Sequence, residues 1–166
     1  FTVDETEMAI VTRFGEPLRS FTEPGLKIKT PFIEQIIYLD KRLLVFDAPP
    51  DSLLTKDKKR LIIDVYSRGL IKDPLKVVET VRDETGGSNR AIEIVASELR
   101  REIGLDNQSE IIKTSRESIM DNVEEAVRPK LEEFGIDVID VRIKRADFPE
   151  EIASSVHQRM ASERKR

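Results

Sequence analysis

Polar and apolar residues alternate along much of the first half of the chain, which is the pattern of β-strands with one buried face. The alternation predicts strands at residues 8–14, 26–29, 53–55 and 61–71, and two strand segments within residues 35–47. In the longest of these, the apolar residues that share one face are Leu61, Ile63, Val65 and Ile71. The charged residues 56–60 separate the last two strands, so we expect a hairpin there.

Apolar residues in the second half recur every three or four positions, which indicates helices. Asp73 followed by Pro74 is typical of a helix start, because Asp caps the first N–H groups and Pro needs no donor there. We expect the two glycines at 86–87 to end this helix. A longer helix is predicted over residues 88–104, with Leu105 closing its end in a Schellman-type cap. Its inward face comprises Ile92, Val95, Ala96, Leu99 and Ile103.

A third helix is predicted over residues 110–134, ended by Gly135. Pro129 lies inside it and cannot donate to a helical carbonyl, so we expect a kink or break there that costs about 3 kcal/mol. A final strand follows, and its apolar residues fall on two phases, which a bulge or burial on both faces would reconcile. One phase holds Ile139, Val141 and Ile143, and the other holds Ile136 and Val138. Strands followed by helices and a returning strand predict an α+β fold.

The last segment has helical periodicity and no stop signal. Its first turn contains Pro149, and a narrow apolar stripe follows at four-residue intervals, formed by Ile152, Val156 and Met160. Such a stripe without a C-cap is typical of the start of a coiled coil, so we predict that it is an oligomerisation seam. The chain thus divides into a domain at residues 1–147 and a coiled-coil start at 148–166. Within the domain we expect a strand-rich lobe at about 1–72 and a helix-rich lobe at about 73–147.

The length and composition of the chain exclude several classes of function. The 166 residues suit one domain, or two small lobes that share a core. The net charge of -4 argues against nucleic acid as the main partner, and the absence of cysteine excludes disulfides and thiolate chemistry. The chain starts at Phe1 without an initiator methionine, and no apolar run approaches the ~20 residues that span a bilayer. We therefore expect a soluble fragment of a longer protein.

Candidate catalytic residues are few. His157 is the only histidine and lies beside the apolar stripe, where a surface or interface role is the simpler interpretation. Ser162 and Lys165 match the Ser-x-x-Lys pattern of one hydrolase class, but the motifs that accompany it are absent. No phosphate-binding glycine loop or metalloprotease motif occurs in the sequence. We predict a protein that is not an enzyme and that carries no cofactor or metal.

Two segments are each open to two interpretations. The basic side chains within residues 56–60 would suit phosphates of lipid or nucleic acid, but charged hairpin turns are usually only solvated. Phe32 and Ile33 are candidates for contact with a bilayer, whereas a buried strand start explains the same residues more often.

The order of short motifs along the chain is specific, although each motif is weak alone. In the first half these motifs are Arg13-Phe14-Gly15, Glu23-Pro24-Gly25-Leu26, Pro31-Phe32-Ile33-Glu34, Leu39-Asp40-Lys41-Arg42 and Thr55-Lys56-Asp57-Lys58-Lys59. In the second half they are Leu99-Arg100, Ile103-Gly104, Ser115-Arg116, Phe134-Gly135-Ile136, Val141-Arg142-Ile143-Lys144, Pro149, Arg159-Met160 and Glu163-Arg164. Together they resemble the SPFH or band 7 family of stomatin, prohibitin, flotillin and HflK/C, and they look most like its bacterial HflC members.

The resemblance implies a membrane-anchored scaffold whose copies pack into large assemblies. HflC-like members pair with the paralogue HflK and associate with the membrane-bound AAA+ protease FtsH, whose choice of substrates they regulate. The alternative is a stomatin-like or prohibitin-like adaptor that organises other membrane proteins. Such proteins carry a membrane anchor before this domain and hold the lobe that contains Phe32 and Ile33 close to the lipid. The resemblance implies the bacterial inner membrane, with the domain on the periplasmic side in HflK/C-like members and at the cytoplasmic face in stomatin-like ones.

Overall fold

The computed structural model describes residues 1–114 and 116–149, which form an α+β fold, as predicted. The first half contains the strands β1 (Thr2–Val3), β2 (Glu7–Arg13), β3 (Glu16–Phe21), β4 (Gly25–Leu26), β5 (Glu34–Asp40), β6 (Leu44–Asp47), β7 (Asp51–Leu54) and β8 (Arg60–Ile71). The second half contains the helices α1 (Pro74–Val81), α2 (Glu84–Ile103), α3 (Gln108–Lys113) and α4 (Arg116–Glu132), followed by strand β9 (Ile136–Asp147).

A three-stranded antiparallel sheet in the order β3-β2-β5 lies at the N-terminal side of the fold. Its central strand is almost entirely buried, with Ala9, Ile10 and Val11 inaccessible to solvent. The short strands β1 and β4 pair beside it, and helix α1 packs against β2 and β3. This sheet carries the surface described below.

A second antiparallel sheet is built around β8, which pairs with β6 and β7 along one edge and with β9 along the other. Every second residue of β8 from Leu61 to Ile71 is buried, so the predicted face is confirmed and the predicted hairpin with β7 forms. Helices α2 and α4 contribute the other side of the core with the buried residues Ala91, Val95, Leu99, Ile103, Ile119, Val123, Val127 and Leu131.

The two phases of the final strand are reconciled by a bulge. Arg68 pairs with Asp140 and the next residue, Gly69, pairs with Val138, so Ile139 has no partner on β8. The extra residue shifts the alternation by one position, so Val138 is buried before the bulge and Val141 is buried after it. A bulge was one of the two arrangements expected, but Ile139 was expected inside and is 44% exposed.

The glycines at 86–87 do not end α1. That helix ends at Val81, and Arg82 follows with φ +71°. Asp83 then caps α2 by accepting from the N–H of Gly86, so the two glycines lie in the first turn of the longer helix. The helix therefore starts four residues earlier than its apolar periodicity indicated.

The predicted third helix is two helices. The chain leaves helical geometry at Thr114, between α3 and α4, while α4 continues through Pro129 to Glu132. Pro129 withholds one N–H from the Glu125 carbonyl but does not end the helix. The Schellman-type cap was also wrong: Gly104 has a right-handed φ of −67°, and Leu105 is exposed.

Among the described residues, no helix has both the length and the apolar character needed to cross a membrane.

Candidate membrane-facing site

Four large apolar side chains are exposed at one end of the three-stranded sheet. Phe14 is 88% exposed, Ile28 85%, Phe32 104% and Ile33 44%, and we call these four residues the apolar tip. Arg13 and Glu34 are the last pair of the β2–β5 ladder, so Phe14, which follows Arg13, and Ile33, which precedes Glu34, leave the sheet at the same end.

The backbone of the apolar tip is strained at both phenylalanines. Phe14 has φ +51° and Phe32 has φ +69°, in the left-handed region that non-glycine residues seldom adopt. For L-residues this conformation costs about 1–2 kcal/mol each. An exposed phenylalanine contributes almost no burial in return, so folding of the isolated domain gives no reason for these side chains. Strain combined with apolar exposure is typical of a contact surface.

A buried carboxylate holds the tip in place. The side chain of Glu34 is 1% exposed and accepts hydrogen bonds from Arg19 at 2.9 Å and Arg13 at 3.1 Å. It also accepts from the backbone N–H of Thr30 at 2.8 Å, while Lys29 Nζ donates to the Glu34 carbonyl at 3.0 Å. The Arg19 guanidinium, followed by the Thr30 N–H, lowers the pKa of Glu34 to about 2. The carboxylate therefore ties the loop before β5 to the other two strands of the sheet, β2 and β3.

Arg19 extends this arrangement to Ile28. Besides Glu34, its Nη2 donates to the Ile28 carbonyl at 3.2 Å, so one guanidinium fixes the backbone on both sides of the loop. Basic side chains therefore surround the apolar tip: Arg13 and Arg19 are 47% and 41% exposed, and Lys27 and Lys29 lie on the same loop. Exposed apolar side chains surrounded by basic ones are typical of a surface that lies in a membrane interface.

The start of the described chain lies next to the tip. The N–H of Lys27 donates to the Phe1 carbonyl at 2.7 Å, and β1 pairs with β4 directly after it. Phe1 also stacks edge-on against Phe21 of β3, with ring centroids 5.8 Å apart. Phe1 therefore lies opposite Lys27, the residue directly before Ile28.

The structure excludes one of the two interpretations of Phe32 and Ile33, and contact with a bilayer stays a prediction. Both are exposed and β5 begins only at Glu34, so the buried strand start was wrong. Phe14 and Ile28 were not among the predicted residues. The position of Phe14 directly before Gly15 in a tight turn was a signal for its exposure, whereas no pattern in the sequence pointed to Ile28. The predicted seam of Ile152, Val156 and Met160, like His157, lies outside the described residues.

The basic turn between β7 and β8 is braced from within. Thr55 donates its hydroxyl to Asp57 and to the Lys59 carbonyl, and the N–H of Gln108 donates to Asp57 at 3.3 Å. The Thr55 hydroxyl lowers the pKa of Asp57. The turn is exposed and joins two strands of the second sheet, so it is not part of the apolar tip. That it is only solvated stays a prediction.

Comparison with known proteins places the chain in a family. The model of the SPFH domain / Band 7 family matches residues 1–166. The chain is 32% identical over 173 residues to Protein HflC of Haemophilus influenzae, an alignment that covers 98% of the chain and 59% of that protein. It is 28% identical over 214 residues to Modulator of FtsH protease HflC of Escherichia coli K12, covering 99% of the chain and 63% of the relative.

Protein HflC of Treponema pallidum is 27% identical over 200 residues, covering 99% of the chain and 60% of that protein. The chain spans about 60% of the length of these curated relatives. The resemblance drawn from the motif order is confirmed. Because the family model matches from the first residue to the last, the chain belongs to the SPFH domain / Band 7 family.

Proposed function

We propose that this chain is the SPFH domain of an HflC-like scaffold, not itself an enzyme, that assembles into large oligomers and regulates a membrane-bound AAA+ protease. The observation that carries the proposal is similarity along the whole chain to proteins that include one named Modulator of FtsH protease HflC. By analogy, the partners are an FtsH-like protease and an HflK-like paralogue. The domain lies on the periplasmic side of a bacterial inner membrane.

The apolar tip supports a membrane-proximal orientation. An anchor that precedes residue 1, as the resemblance implies, emerges beside Lys27 and therefore beside Ile28. In the proposal Phe32 and Ile33 face the lipid, and the second sheet with α2 and α4 lies further from it. The proposal also keeps the division of the domain into a strand-rich lobe at about 1–72 and a helix-rich lobe at about 73–147.

Assembly is proposed to depend on Ile152, Val156 and Met160. A protein that contains the domain and the helix after it should form large oligomers, whereas residues 1–166 should be monomeric or weakly associating because about four helical turns bury too little apolar area. Changing all three residues to Ser should disrupt the oligomers. The matched control changes Ser154, Gln158 and Ser162 to Ala at the same four-residue spacing and should leave oligomer size unchanged in light scattering.

The regulatory role is tested in cells that lack the native protein. Cells given the triple Ser variant should degrade membrane-protease substrates at an altered rate although the protein level is normal, while the Ala control restores the original rate. Oligomers that persist in the triple Ser variant would contradict the seam. Unchanged substrate turnover despite lost assembly would favour the stomatin-like adaptor instead.

The non-enzymatic part of the proposal has its own test. The purified chain should hydrolyse neither peptide nor ester substrates above background. Hydrolysis that disappears on Ser162→Ala would contradict the proposal and would assign a Ser-Lys pair to the chain.

A further inference from the structure

We propose that an open groove between α2 and the end of α4 binds a protein partner through an arginine of that partner. The guanidinium of the partner stacks on Phe134 and pairs with Glu93 and Glu133. In doing so it takes the place of Arg90, a side chain of this chain that occupies the groove in the structure. The inference does not depend on the scaffold proposal, because no residue of this groove belongs to the apolar tip.

The groove combines an apolar lining with charged side chains. Its volume is about 470 Å³, within the roughly 300–1,000 Å³ of pockets that hold small ligands. Its apolar side chains, Ile94 and Phe134, both pack against the hydrophobic core, so the groove is formed before a ligand binds. The charged side chains that line it are Arg90, Glu93, Glu98, Lys130 and Glu133.

Arg90 indicates which chemistry the groove accepts. Its guanidinium carbon lies 5.6 Å from the centre of the Phe134 ring, within the range of a cation–π contact. Its Nη1 donates to Glu93 at 3.0 Å. The side chains of Arg90 and Glu93 are both more than half exposed, and exposed pairs of this kind contribute little to stability. A second guanidinium can therefore replace Arg90 at little cost.

The charges in the groove favour a basic ligand over an acidic one. Lys130 is already paired with Glu98, a buried carboxylate that also accepts from Arg101 at 3.0 Å. Glu133, by contrast, forms no ion pair among the described residues. Three carboxylates and two cations line the groove, so one negative charge is left over. Arginine fits better than lysine, because a planar guanidinium stacks on an aromatic ring and bonds carboxylates at the same time.

The test is an NMR titration of the full 166-residue chain with short capped peptides. Each peptide carries a central arginine flanked by alanine, leucine or phenylalanine. Matched peptides carry lysine, glutamate or citrulline, which is neutral and has nearly the shape of arginine. The arginine peptides should shift the amide signals of Glu93, Ile94 and Phe134. The lysine peptides should bind more weakly, and the citrulline and glutamate peptides should leave these signals unchanged.

Variants of the chain locate the site. Arg90→Ala should strengthen binding of the arginine peptides by up to about fivefold, because the groove no longer holds its own guanidinium. Glu133→Gln should weaken binding by up to about the same factor. Two controls lie outside the groove: Arg100→Ala, an exposed and ion-paired arginine of α2, and Glu125→Gln, an exposed carboxylate of α4. Both should bind the peptides as the parent does, and thermal melts check that all four variants stay folded.

Four outcomes would overturn the inference. No arginine peptide binds to Arg90→Ala, the citrulline peptides bind equally well, Arg90→Ala weakens binding, or the glutamate peptides bind more tightly, which would make the groove an anion site. If no peptide binds and Arg90→Ala increases self-association in sedimentation, a second copy of the chain occupies the groove and the proposed partner is wrong. The scaffold proposal fails separately, through oligomer size and substrate turnover of the triple Ser variant.

Discussion

Gly86 lies against the carbonyl oxygen of Val81, so close that a Cβ at position 86 would sit 2.3 Å from that oxygen. The contact forms where α1 ends and α2 begins, and it explains why a glycine occupies the first turn of a helix. A Cβ at position 87, one residue later, would have its nearest neighbour at 3.5 Å, an ordinary van der Waals contact with the side chain of Val81.

These two glycines should therefore respond oppositely to the same substitution. Gly86→Ala should lower the free energy of unfolding, because a backbone carbonyl has to move. Gly87→Ala should leave it unchanged or raise it by up to about 1 kcal/mol, because alanine is the better helix former. Urea denaturation of the two variants measures the difference, and equal destabilisation would show that helix α2 does not start at Glu84.

The strain in the apolar tip predicts a gain in stability when an aromatic is removed. Phe32 is fully exposed at φ +69°, so Phe32→Asn loses no burial and relieves a disfavoured conformation. We expect the free energy of unfolding to rise by about 1 kcal/mol. Tyr38→Asn is a comparison on an ordinary strand of the same sheet and should not stabilise. A Phe32→Asn variant that melts below the parent would mean that this side chain contributes to the fold.

The contribution of Glu34 to stability should be visible in the dependence of the free energy of unfolding on acid pH. Its pKa falls from 4.5 to about 2 on folding, chiefly through Arg19, so its contribution is complete above about pH 4.5 and is lost as the pH falls towards 2. The free energy of unfolding should decrease over this window in the parent. In Glu34→Gln the decrease should be smaller.

The comparison with Glu34→Gln is needed because other carboxyl groups act in the same direction. The pKa values of Asp140 and Glu98 are also lowered, mainly by hydrogen bonds from Arg68 and Lys130. Identical slopes for the parent and Glu34→Gln would show that the Arg13–Glu34–Arg19 cluster does not form in solution.

Two buried hydroxyl groups should contribute to the free energy of unfolding with opposite signs. The Ser67 hydroxyl is fully buried and has no hydrogen-bond partner among the described residues, so Ser67→Ala should raise the free energy of unfolding by about 1 kcal/mol. The Thr55 hydroxyl bonds Asp57 and the backbone of Lys59, so Thr55→Val should lower it by about 1–2 kcal/mol. Thermal melts that move both variants in the same direction would contradict this assignment.

Core truncation should separate the fold from assembly. Leu99 and Val141 are 3% and 2% exposed on α2 and β9. Leu99→Ala should cost about 2–5 kcal/mol and Val141→Ala about 1–3 kcal/mol. The triple Ser change at Ile152, Val156 and Met160 should leave the melting temperature close to that of the parent. A large drop in that variant would place the stripe in the core and would remove the argument for a seam.

The sequence was most informative where periodicity and burial coincide. The alternation in residues 61–71 located both the strand and its buried face, and the cap at Asp73 with Pro74 located the start of α1. A bulge in β9 was one of two arrangements that the sequence suggested, because the apolar residues of that strand fall on two phases. These features depend on local backbone geometry, which a short window of sequence encodes.

The same reasoning failed at two helix boundaries, one at residues 86–87 and one at Pro129. A glycine pair usually ends a helix, but residues 86–87 begin one, since the reason for Gly86 is the approach of Val81. The predicted break at Pro129 does not occur, since α4 continues through it to Glu132. The chain leaves helical geometry between α3 and α4 instead. Neither outcome follows from helix propensity.

The candidate site shows the same division. The amino-acid sequence determined an α+β domain, its family through the order of motifs, and the choice of Phe32 and Ile33 as candidates. Only the tertiary structure decided that these residues are exposed and that Phe14 and Ile28 join them. The reason is physical: the Glu34 carboxylate accepts hydrogen bonds from Arg13 and Arg19, which lie 21 and 15 residues before it, and contacts at such separations leave no periodic pattern in the sequence.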